Sequence, residues 1–315
     1  MVKIMREKII RADRPRTDML PVAAGLTLLL FLAGQFLGNL LASALPGKTL
    51  PAGWTGSEQA SGFLLGYLKS AGIWAVTLFR LFLVKEDRPI LQFLRSEGFG
   101  RIPRSVLPGF TSGAVLNGLC ILLAVLHGDL AFSFGRLEVL PLLLFLSAVA
   151  IQAGGEELLF RCFLYQKLRR RYRNAAVAIL GNALFFALLH LMNPEPDPLG
   201  ILQVFSMGLL LSLLIYYHGS FQAAAALHTG WNFTQSILFG LPNSGVASAY
   251  SLFHPDVSSA GGSLFYAKGF GIEGSLSAPL LLLLASALAV LSGRRKIFRE
   301  DLWAKRDPAS PVQPS

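Results

Sequence analysis

The sequence predicts an all-α membrane protein, a polytopic bundle of about eight transmembrane helices, and three observations lead to this prediction. Of the 315 residues, 53% are hydrophobic and 15% are charged, whereas soluble domains carry about 25% charged residues. The mean hydropathy is +0.54. The apolar residues form long runs without charge along the whole chain. A soluble globular enzyme, a disordered chain and a disulfide-stabilised domain are therefore excluded, and Cys120 and Cys162 fit no cysteine-based metal motif.

The first four spans follow charge-free runs near the length of about 20 residues that a helix needs to cross the hydrocarbon core. They cover 20–45, 62–83, 105–127 and a stretch that begins at Val139. The first run is too long for a signal peptide and has no small-residue cleavage site. Lys69 and Arg80 interrupt the second span, and Arg80 lies near its end, where the side chain can extend to the membrane surface. The fourth span continues into Glu156 and Glu157.

The remaining four spans come from the second half of the chain. Residues 175–190 form the fifth. Residues 198–255 contain no Asp, Glu, Lys or Arg, which is too long for one helix. The polar break at Tyr217-His218-Gly219-Ser220 divides this run into spans 199–216 and 220–240, and the last span covers 274–292. The runs are continuous rather than alternating, so they predict helices and not a barrel.

The charge distribution predicts the orientation. With a cytoplasmic N-terminus, the inside segments contain 22 of the 28 Lys and Arg residues, and the outside segments contain three, Lys48, Arg136 and Lys268. The inside segments are 1–18, 84–104, 167–173, 217–219 and 293–315. This asymmetry predicts a multi-pass protein of the plasma (inner) membrane with both termini cytoplasmic. The net charge is +10, and the basic residues lie on four separate cytoplasmic segments. They are therefore expected to face anionic lipid headgroups of the bilayer and not nucleic acid.

Two adjacent carboxylates in the fourth span form the first candidate site, because ionisable groups inside a membrane are costly. Glu157 and Arg161 are four residues apart and only about 40° apart around a helix, which predicts an ion pair. Glu156 points about 140° away from Arg161. Without that cation, Glu156 is suited to general acid or base catalysis. The alternative is that both glutamates lie near solvent in the cytoplasmic half of a long helix.

His190 is the second candidate. The turn between spans four and five falls near Arg173 and Asn174, 17 residues after Glu156 and 17 before His190. In a hairpin of two straight helices, equal path lengths place Glu156 and His190 at the same depth, about 25 Å from the turn. Taken alone, a membrane histidine is more often a packing or hydrogen-bonded residue. A facing pair of glutamate and histidine is hard to explain in that way.

His228 and Asn232 are the third candidate pair, four residues apart on one helical face. Two neutral donors on one face are what an oxyanion site uses, and inter-helix hydrogen bonding is the alternative. Gln152, one turn before Glu156, and Asn182, two turns before His190, are amides that would orient a catalytic partner.

The three elements in this order resemble the motifs of the CPBP intramembrane protease family, which includes CAAX prenyl endopeptidases and bacteriocin-processing or immunity proteins. They read Glu156-Glu157-x-x-x-Arg161, Phe186-x-x-x-His190 and His228-x-x-x-Asn232. The resemblance covers about residues 139–240. It implies an eight-helix fold with an interior cavity and peptide-bond hydrolysis at the cytoplasmic side. The substrate would be a peptide or protein at the membrane.

The resemblance also implies a role for each residue. Glu156 and His190 would activate a water molecule, and His228 and Asn232 would stabilise the oxyanion. Glu157 and Arg161 would support the helix. No cofactor is expected in this mechanism. The alternative is a zinc-dependent protease in which Glu156, His190 and His228 are the ligands and the fourth position is open.

Four parts of the chain follow from this interpretation. They are a basic cytoplasmic tail over 1–18, transmembrane helices 1–3 over 19–137, a CPBP-type catalytic membrane domain over 138–292 and a basic cytoplasmic tail over 293–315. Two other classes of function stay open: a proton-coupled transporter, for which no internal repeat is seen, and a non-catalytic scaffold or immunity protein.

Overall fold

Helices dominate the fold, as the charge-free runs predict. The computed structural model describes residues 10–11, 15–45, 50–95, 102–194, 196–260, 262–267, 269–293 and 304–305. Its helices are α1 (Leu20–Ser43), α2 (Glu58–Leu68), α3 (Ala71–Leu83), α4 (Pro89–Arg95), α5 (Ile102–His127), α6 (Val139–Glu157), α7 (Tyr165–Arg171), α8 (Ala175–Leu189), α9 (Pro198–His218), α10 (Phe221–Asn232) and α11 (Ser277–Gly293). Lys48, Lys268 and most of the two predicted tails, 1–18 and 293–315, lie outside the described residues.

Within the described part of the chain, six helical segments are long and apolar enough to cross a membrane. They are Leu20–Ser43, Glu58–Leu83, Arg104–His127, Val139–Arg171, Ala175–Met192 and Pro198–His218. A shorter apolar helix covers Ser277–Gly293. The prediction of an all-α, multi-pass membrane protein is therefore confirmed. The predicted span 220–240 is helical from Phe221 to Leu238. It is mostly buried, carries several polar residues and is not among the six membrane-length segments.

The outer helices present large apolar side chains outward and small residues inward. On α1, Leu29 is 63% exposed and Phe36 is 71% exposed, whereas Gly34 and Gly38 are buried. A Cβ on Gly34 would lie 2.6 Å from the Cα of Ile73 on α3. Small residues at the contact let two membrane helices approach closely, and the large ones are left for lipid.

Helix α10 lies at the centre of the bundle, with nine of its twelve residues buried. Its backbone touches that of α5 at two glycines. A Cβ on Gly113 would lie 1.9 Å from the Leu227 oxygen, and a Cβ on Gly230 would lie 2.2 Å from the Phe110 oxygen. This close crossing fixes the height and rotation of the helix that carries His228 and Asn232.

Two π-helical segments follow residues of the predicted motifs directly. Leu158–Leu164 continues α6 after Glu157, and Phe233–Leu238 continues α10 after Asn232. π-Helical turns inside α-helices occur frequently at functional sites. Arg161 lies within the first of these segments.

A buried ion cluster closes the end of the bundle that carries the basic segments. Lys167 Nζ lies 2.9 Å from Asp18 Oδ1 and 3.1 Å from Asp87 Oδ1. Arg170 Nη2 lies 2.8 Å from Asp87 Oδ1 and also binds Asp18, and Arg80 pairs with Asp87 at 3.3 Å. The expectation that the basic residues here face lipid headgroups is wrong for Lys167 and Arg170, because both are buried in ion pairs.

Two short antiparallel ribbons complete the described chain. Strand β1 (Ile10–Arg11) pairs with β4 (Ala304–Lys305), and β2 (Ala131–Phe134) pairs with β3 (Phe253–Asp256). The second ribbon lies in the loops at the end of the bundle opposite to the ion cluster. The sequence did not predict these ribbons, and they are too short to change the fold class.

Candidate active site

A cavity of about 430 Å³ lies inside the bundle, and all four residues predicted to be catalytic line it. Glu156 comes from α6, His190 follows the end of α8, and His228 and Asn232 come from α10. Three helices that are distant in sequence therefore bring the three motifs to one place.

The two adjacent carboxylates lie in different surroundings, as the helical geometry predicts. Glu157 and Arg161 are completely buried, and their ion pair is 3.1 Å long between Oε1 and Nη1. The side chain of Glu156 is 16% exposed and lines the cavity. Glu157 also accepts a hydrogen bond from Nδ1 of His228 at 2.9 Å. Glu157 therefore joins Arg161 to the histidine on α10.

The ring of His228 is fixed by this bond, and that changes its expected role. Nδ1 carries the hydrogen that Glu157 accepts, because an ionised carboxylate only accepts hydrogen bonds. Nε2 lies 3.9 Å from Oε2 of Glu156. From the sequence, we expected His228 to be a neutral donor. With Nδ1 bonded to Glu157, only the imidazolium form of His228 has a hydrogen on Nε2 to donate.

Phe186 connects the second motif to the first. Its ring lies 4.4 Å from the Arg161 guanidinium carbon, a cation–π contact. Its edge packs against His190 with ring centroids 4.6 Å apart. The Phe186 carbonyl accepts a hydrogen bond from Nδ1 of His190 at 2.8 Å, since a backbone carbonyl only accepts. In the neutral imidazole, Nε2 of His190 is then the acceptor.

The two glycines before the glutamates make room for Trp74 of α3. A Cβ on Gly154 would lie 2.7 Å from the Trp74 ring. Trp74 Nε1 donates to the Ile151 oxygen of α6 at 2.8 Å. The Gly154-Gly155 pair therefore lets α3 pack closely against α6, directly before Glu156.

Gln152, Asn243 and Glu273 are among the polar residues that line the cavity outside the predicted motifs. Gln152 donates to Oε1 of Glu156 at 2.5 Å, in line with its position one turn earlier. Asn243 and Glu273 come from the long loop between α10 and α11, and no sequence motif pointed to them. Asn182, the other amide considered, instead donates to the Ser212 hydroxyl at 3.1 Å.

Glu273 is a buried carboxylate outside the membrane-length helices. Burial raises the pKa of Glu273 to about 7. The Ser244 N–H, which donates to it at 2.6 Å, opposes this shift, as do the nearby Trp231, His228 and Gln235 side chains. Glu273 therefore changes charge near neutral pH.

The described residues offer no group of three His, Cys, Asp or Glu side chains that is arranged to hold a metal ion. This includes the set Glu156, His190 and His228 that the zinc alternative requires. The donors that surround Glu156 are amide and imidazole groups, which suit a hydrogen-bonded carboxylate.

The fold and the cavity define an integral membrane protein with a polar, enzyme-like interior site. Residues 138–234 match the family model described as type II CAAX prenyl endopeptidase Rce1-like. This segment contains all three motifs, so the predicted resemblance to the CPBP and CAAX protease family is confirmed over this part of the chain. A comparison with curated proteins finds no match.

The cavity is lined in part by loop residues. Asn193, Asn243, Ser244 and Glu273 line it, and they come from loops at the end of the bundle opposite to the basic 167–173 segment. The basic segment and these loops therefore lie at opposite ends of the bundle.

Proposed function

We propose that the protein is an intramembrane endopeptidase that hydrolyses a peptide bond of a membrane-associated peptide or protein inside the cavity. The observation that carries the proposal is the convergence of Glu156, His190, His228 and Asn232 on one cavity. The family match over the same segment supports it. Polar groups that converge on one pocket are typical of an enzyme site.

Glu156 and His190 would hold and activate the attacking water. The water donates one hydrogen to the carboxylate of Glu156 and the other to Nε2 of His190, which is an acceptor because Nδ1 is bonded to the Phe186 carbonyl. Glu156 takes the first proton as the water oxygen attacks the carbonyl carbon of the scissile bond. General base help of this kind contributes typically 10²–10⁴-fold to the rate.

His228 and Asn232 would stabilise the oxyanion that forms. The imidazolium form of His228 donates from Nε2, and Asn232 donates from its side-chain amide. A donor placed at an oxyanion contributes about 10²–10³-fold. Protonated Glu156 then returns its proton to the leaving nitrogen, the C–N bond breaks, and a carboxylic acid and an amine are released. No covalent intermediate with the protein is required.

The substrate would enter through the part of the cavity wall that is exposed. Gly62 and Gly66 of α2 line the cavity and are themselves exposed. With the basic segments in the cytoplasm, we propose that both termini are cytoplasmic and that substrates reach the site from the opposite face or from within the bilayer. The plasma (inner) membrane is the proposed location.

The test is cleavage by the purified protein in liposomes. The probes are internally quenched peptides that end in a CAAX box, with and without a farnesyl group. We expect wild-type protein to cleave at least one of these probes. His190→Ala should lower kcat by about 10²–10⁴-fold and Asn232→Ala by about 10²–10³-fold. His254→Ala and Asn39→Ala, at exposed positions, are matched controls that keep the wild-type rate.

The same assay separates the metal-free mechanism from the zinc alternative. We expect full activity after treatment with a zinc chelator. Activity that is lost on chelation and restored by zinc would support Glu156, His190 and His228 as ligands instead. Wild-type rates in both His190→Ala and Asn232→Ala would contradict the proposed function.

A further inference from the structure

A ladder of three side-chain amides leads from the loop between α10 and α11 to Glu156. Asn243 Nδ2 donates to Asn232 Oδ1 at 3.1 Å. Asn232 Nδ2 donates to Gln152 Oε1 at 3.1 Å, and Gln152 Nε2 donates to Glu156 Oε1 at 2.5 Å. We call Asn243, Asn232 and Gln152 the amide ladder. It joins a loop without any motif to the carboxylate that the proposed mechanism uses.

The carboxylate sets the direction of every bond in the amide ladder. An ionised Glu156 only accepts, so Gln152 must present its NH2 group to it. The carbonyl of Gln152 then faces Asn232, which must donate, and the carbonyl of Asn232 faces Asn243. A reversed amide at Asn232 would place two carbonyls against each other on one side and two NH2 groups on the other. Asn243 therefore completes the amide ladder, because its NH2 group satisfies the Asn232 carbonyl in the orientation that Glu156 requires.

The turn that carries Asn243 is held in place from several sides. The N–H and C=O groups of Asn243 and Val246 bond to each other at 3.0 and 2.9 Å. Ser244, in the left-handed region with φ of 49°, donates its N–H to Glu273 at 2.6 Å. The Pro242 carbonyl accepts a hydrogen bond from the Gln235 side chain of α10. The turn over residues 242–246 is thus tied to the helix that carries His228 and Asn232.

We propose that Asn243 is a positioning residue of the active site, which orients Asn232 and Gln152 through the amide ladder and is held there by Glu273. The inference rests on the proposed function, since it assigns a role in the same reaction. The first Nδ2 hydrogen of Asn232 is used in the amide ladder, and the second is the one that would reach the oxyanion. Asn243 itself stays outside the reacting atoms.

The charge of Glu273 should affect the turn near neutral pH. The groups that face this carboxylate are the Ser244 N–H in its own loop, His228, Trp231 and Gln235 on α10 and Tyr67 on α2. Because burial raises the pKa of Glu273 to about 7, the ionised form that binds the Ser244 N–H most strongly is complete only above that pH.

Two substitutions at Asn243 distinguish orientation from simple packing. Asn243→Ala removes the last donor and leaves the other bonds in place. Asn243→Asp keeps the shape but offers only acceptors, so Asn232 is driven to reverse, and the conflict passes through Gln152 to Glu156. We expect kcat to fall about tenfold in Asn243→Ala and further in Asn243→Asp, with little change in KM. A purely structural role predicts the opposite order, because aspartate is the closer match in shape.

The control experiment removes one member of the amide ladder, Gln152. In a Gln152→Ala background, the difference in kcat between Asn243→Asp and Asn243→Ala should disappear. Residues 152 and 243 are joined only through Asn232 in the amide ladder, so this result would show coupling along the ladder. Ser259→Asp places a carboxylate at an exposed position of the same loop and should change nothing. An Asn243→Asp variant that is milder than Asn243→Ala, or a difference that persists without Gln152, would overturn the inference.

The melting temperature provides a second measurement that needs no protease activity. Asn243→Asp should melt at least about 2 °C below Asn243→Ala in the wild-type background and should not do so in Gln152→Ala. If no probe peptide is cleaved by wild-type protein, the proposed function fails. The order of the melting temperatures still decides whether the amide ladder exists.

Discussion

His228 donates its Nδ1 hydrogen to Glu157 at 2.9 Å, and not to Glu156, the carboxylate that lines the cavity beside it. The second glutamate of the pair therefore has two partners, the Arg161 guanidinium on its own helix and the imidazole on α10. This bond fixes the tautomer of His228 and directs Nε2 toward Glu156. Glu157 thus contributes both to the stability of the bundle and to the orientation of the site.

Glu157→Gln should destabilise the protein by about 3–5 kcal/mol, because it leaves the buried guanidinium of Arg161 without an opposite charge. Thermal unfolding of the purified protein in detergent measures this change. The double variant Glu157→Gln with Arg161→Met is the control, since it removes the uncompensated charge as well. We expect this variant to recover most of the lost stability while kcat remains low. Equal stability of Glu157→Gln and wild-type protein would contradict the buried ion pair.

Phe186→Leu should lower both stability and activity. The substitution removes the cation–π contact with Arg161, worth roughly 1–2 kcal/mol when desolvated, and the ring that packs on His190. Phe185→Leu is a matched control on the neighbouring position, where the ring contacts Phe160 at 6.3 Å and not the histidines. We expect its kcat to stay within about twofold of the wild type. Similar losses of kcat in the two variants would argue against a role of Phe186 in orienting His190.

The helices and the three motifs could be predicted from the sequence because their signals are local. Charge-free runs determine membrane helices, and a spacing of four residues determines pairs such as Glu157 and Arg161. The equal path lengths around the turn near Asn174 also brought Glu156 and His190 together. Charge-free runs, residue spacings and path lengths can be read from the sequence without the tertiary contacts between helices.

The rest of the site depends on tertiary contacts that local patterns do not encode. Asn243 and Glu273 lie in a loop rich in glycine and serine, and only the folding of this loop over α10 brings them to the cavity. The bond between His228 and Glu157 needs the close crossing of α5 and α10 at Gly113. Lys167 was expected at the lipid surface, and the distant Asp18 and Asp87 bury it instead.

Glu273 should make stability depend on pH between about 4.5 and 7. Its pKa is raised from 4.5 to about 7 in the folded protein, so the folded state holds a proton that the unfolded state has released. This proton stabilises the folded state fully below pH 4.5, and the stabilisation is lost as pH rises through 7. The free energy of unfolding should fall by up to about 3 kcal/mol over this range. Glu273→Gln should remove this dependence in thermal unfolding at a series of pH values. Glu58→Gln, at an exposed position, is the control and should keep the pH dependence of stability. An unchanged pH dependence in Glu273→Gln would show that Glu273 does not cause it.

Single cysteines can determine which side of the membrane the loop-lined end of the cavity faces. The native Cys120 and Cys162 are buried and should react slowly with a membrane-impermeant maleimide. We expect Ser259→Cys, in the loop between α10 and α11, to be labelled in intact cells. Arg173→Cys, in the turn between α7 and α8, should be labelled only after lysis. The reverse pattern would place the cavity on the cytoplasmic side and the basic segments outside.

Glu156→Gln tests whether Glu156 is the general base of the proposed hydrolysis. Glutamine keeps the size of the side chain and can still bond to Gln152, but it cannot take a proton from water. We expect kcat on a cleaved probe peptide to fall by about 10²–10⁴-fold, while the melting temperature stays near that of the wild type. Cleavage by Glu156→Gln at the wild-type rate would contradict the account and would remove Glu156 from the mechanism.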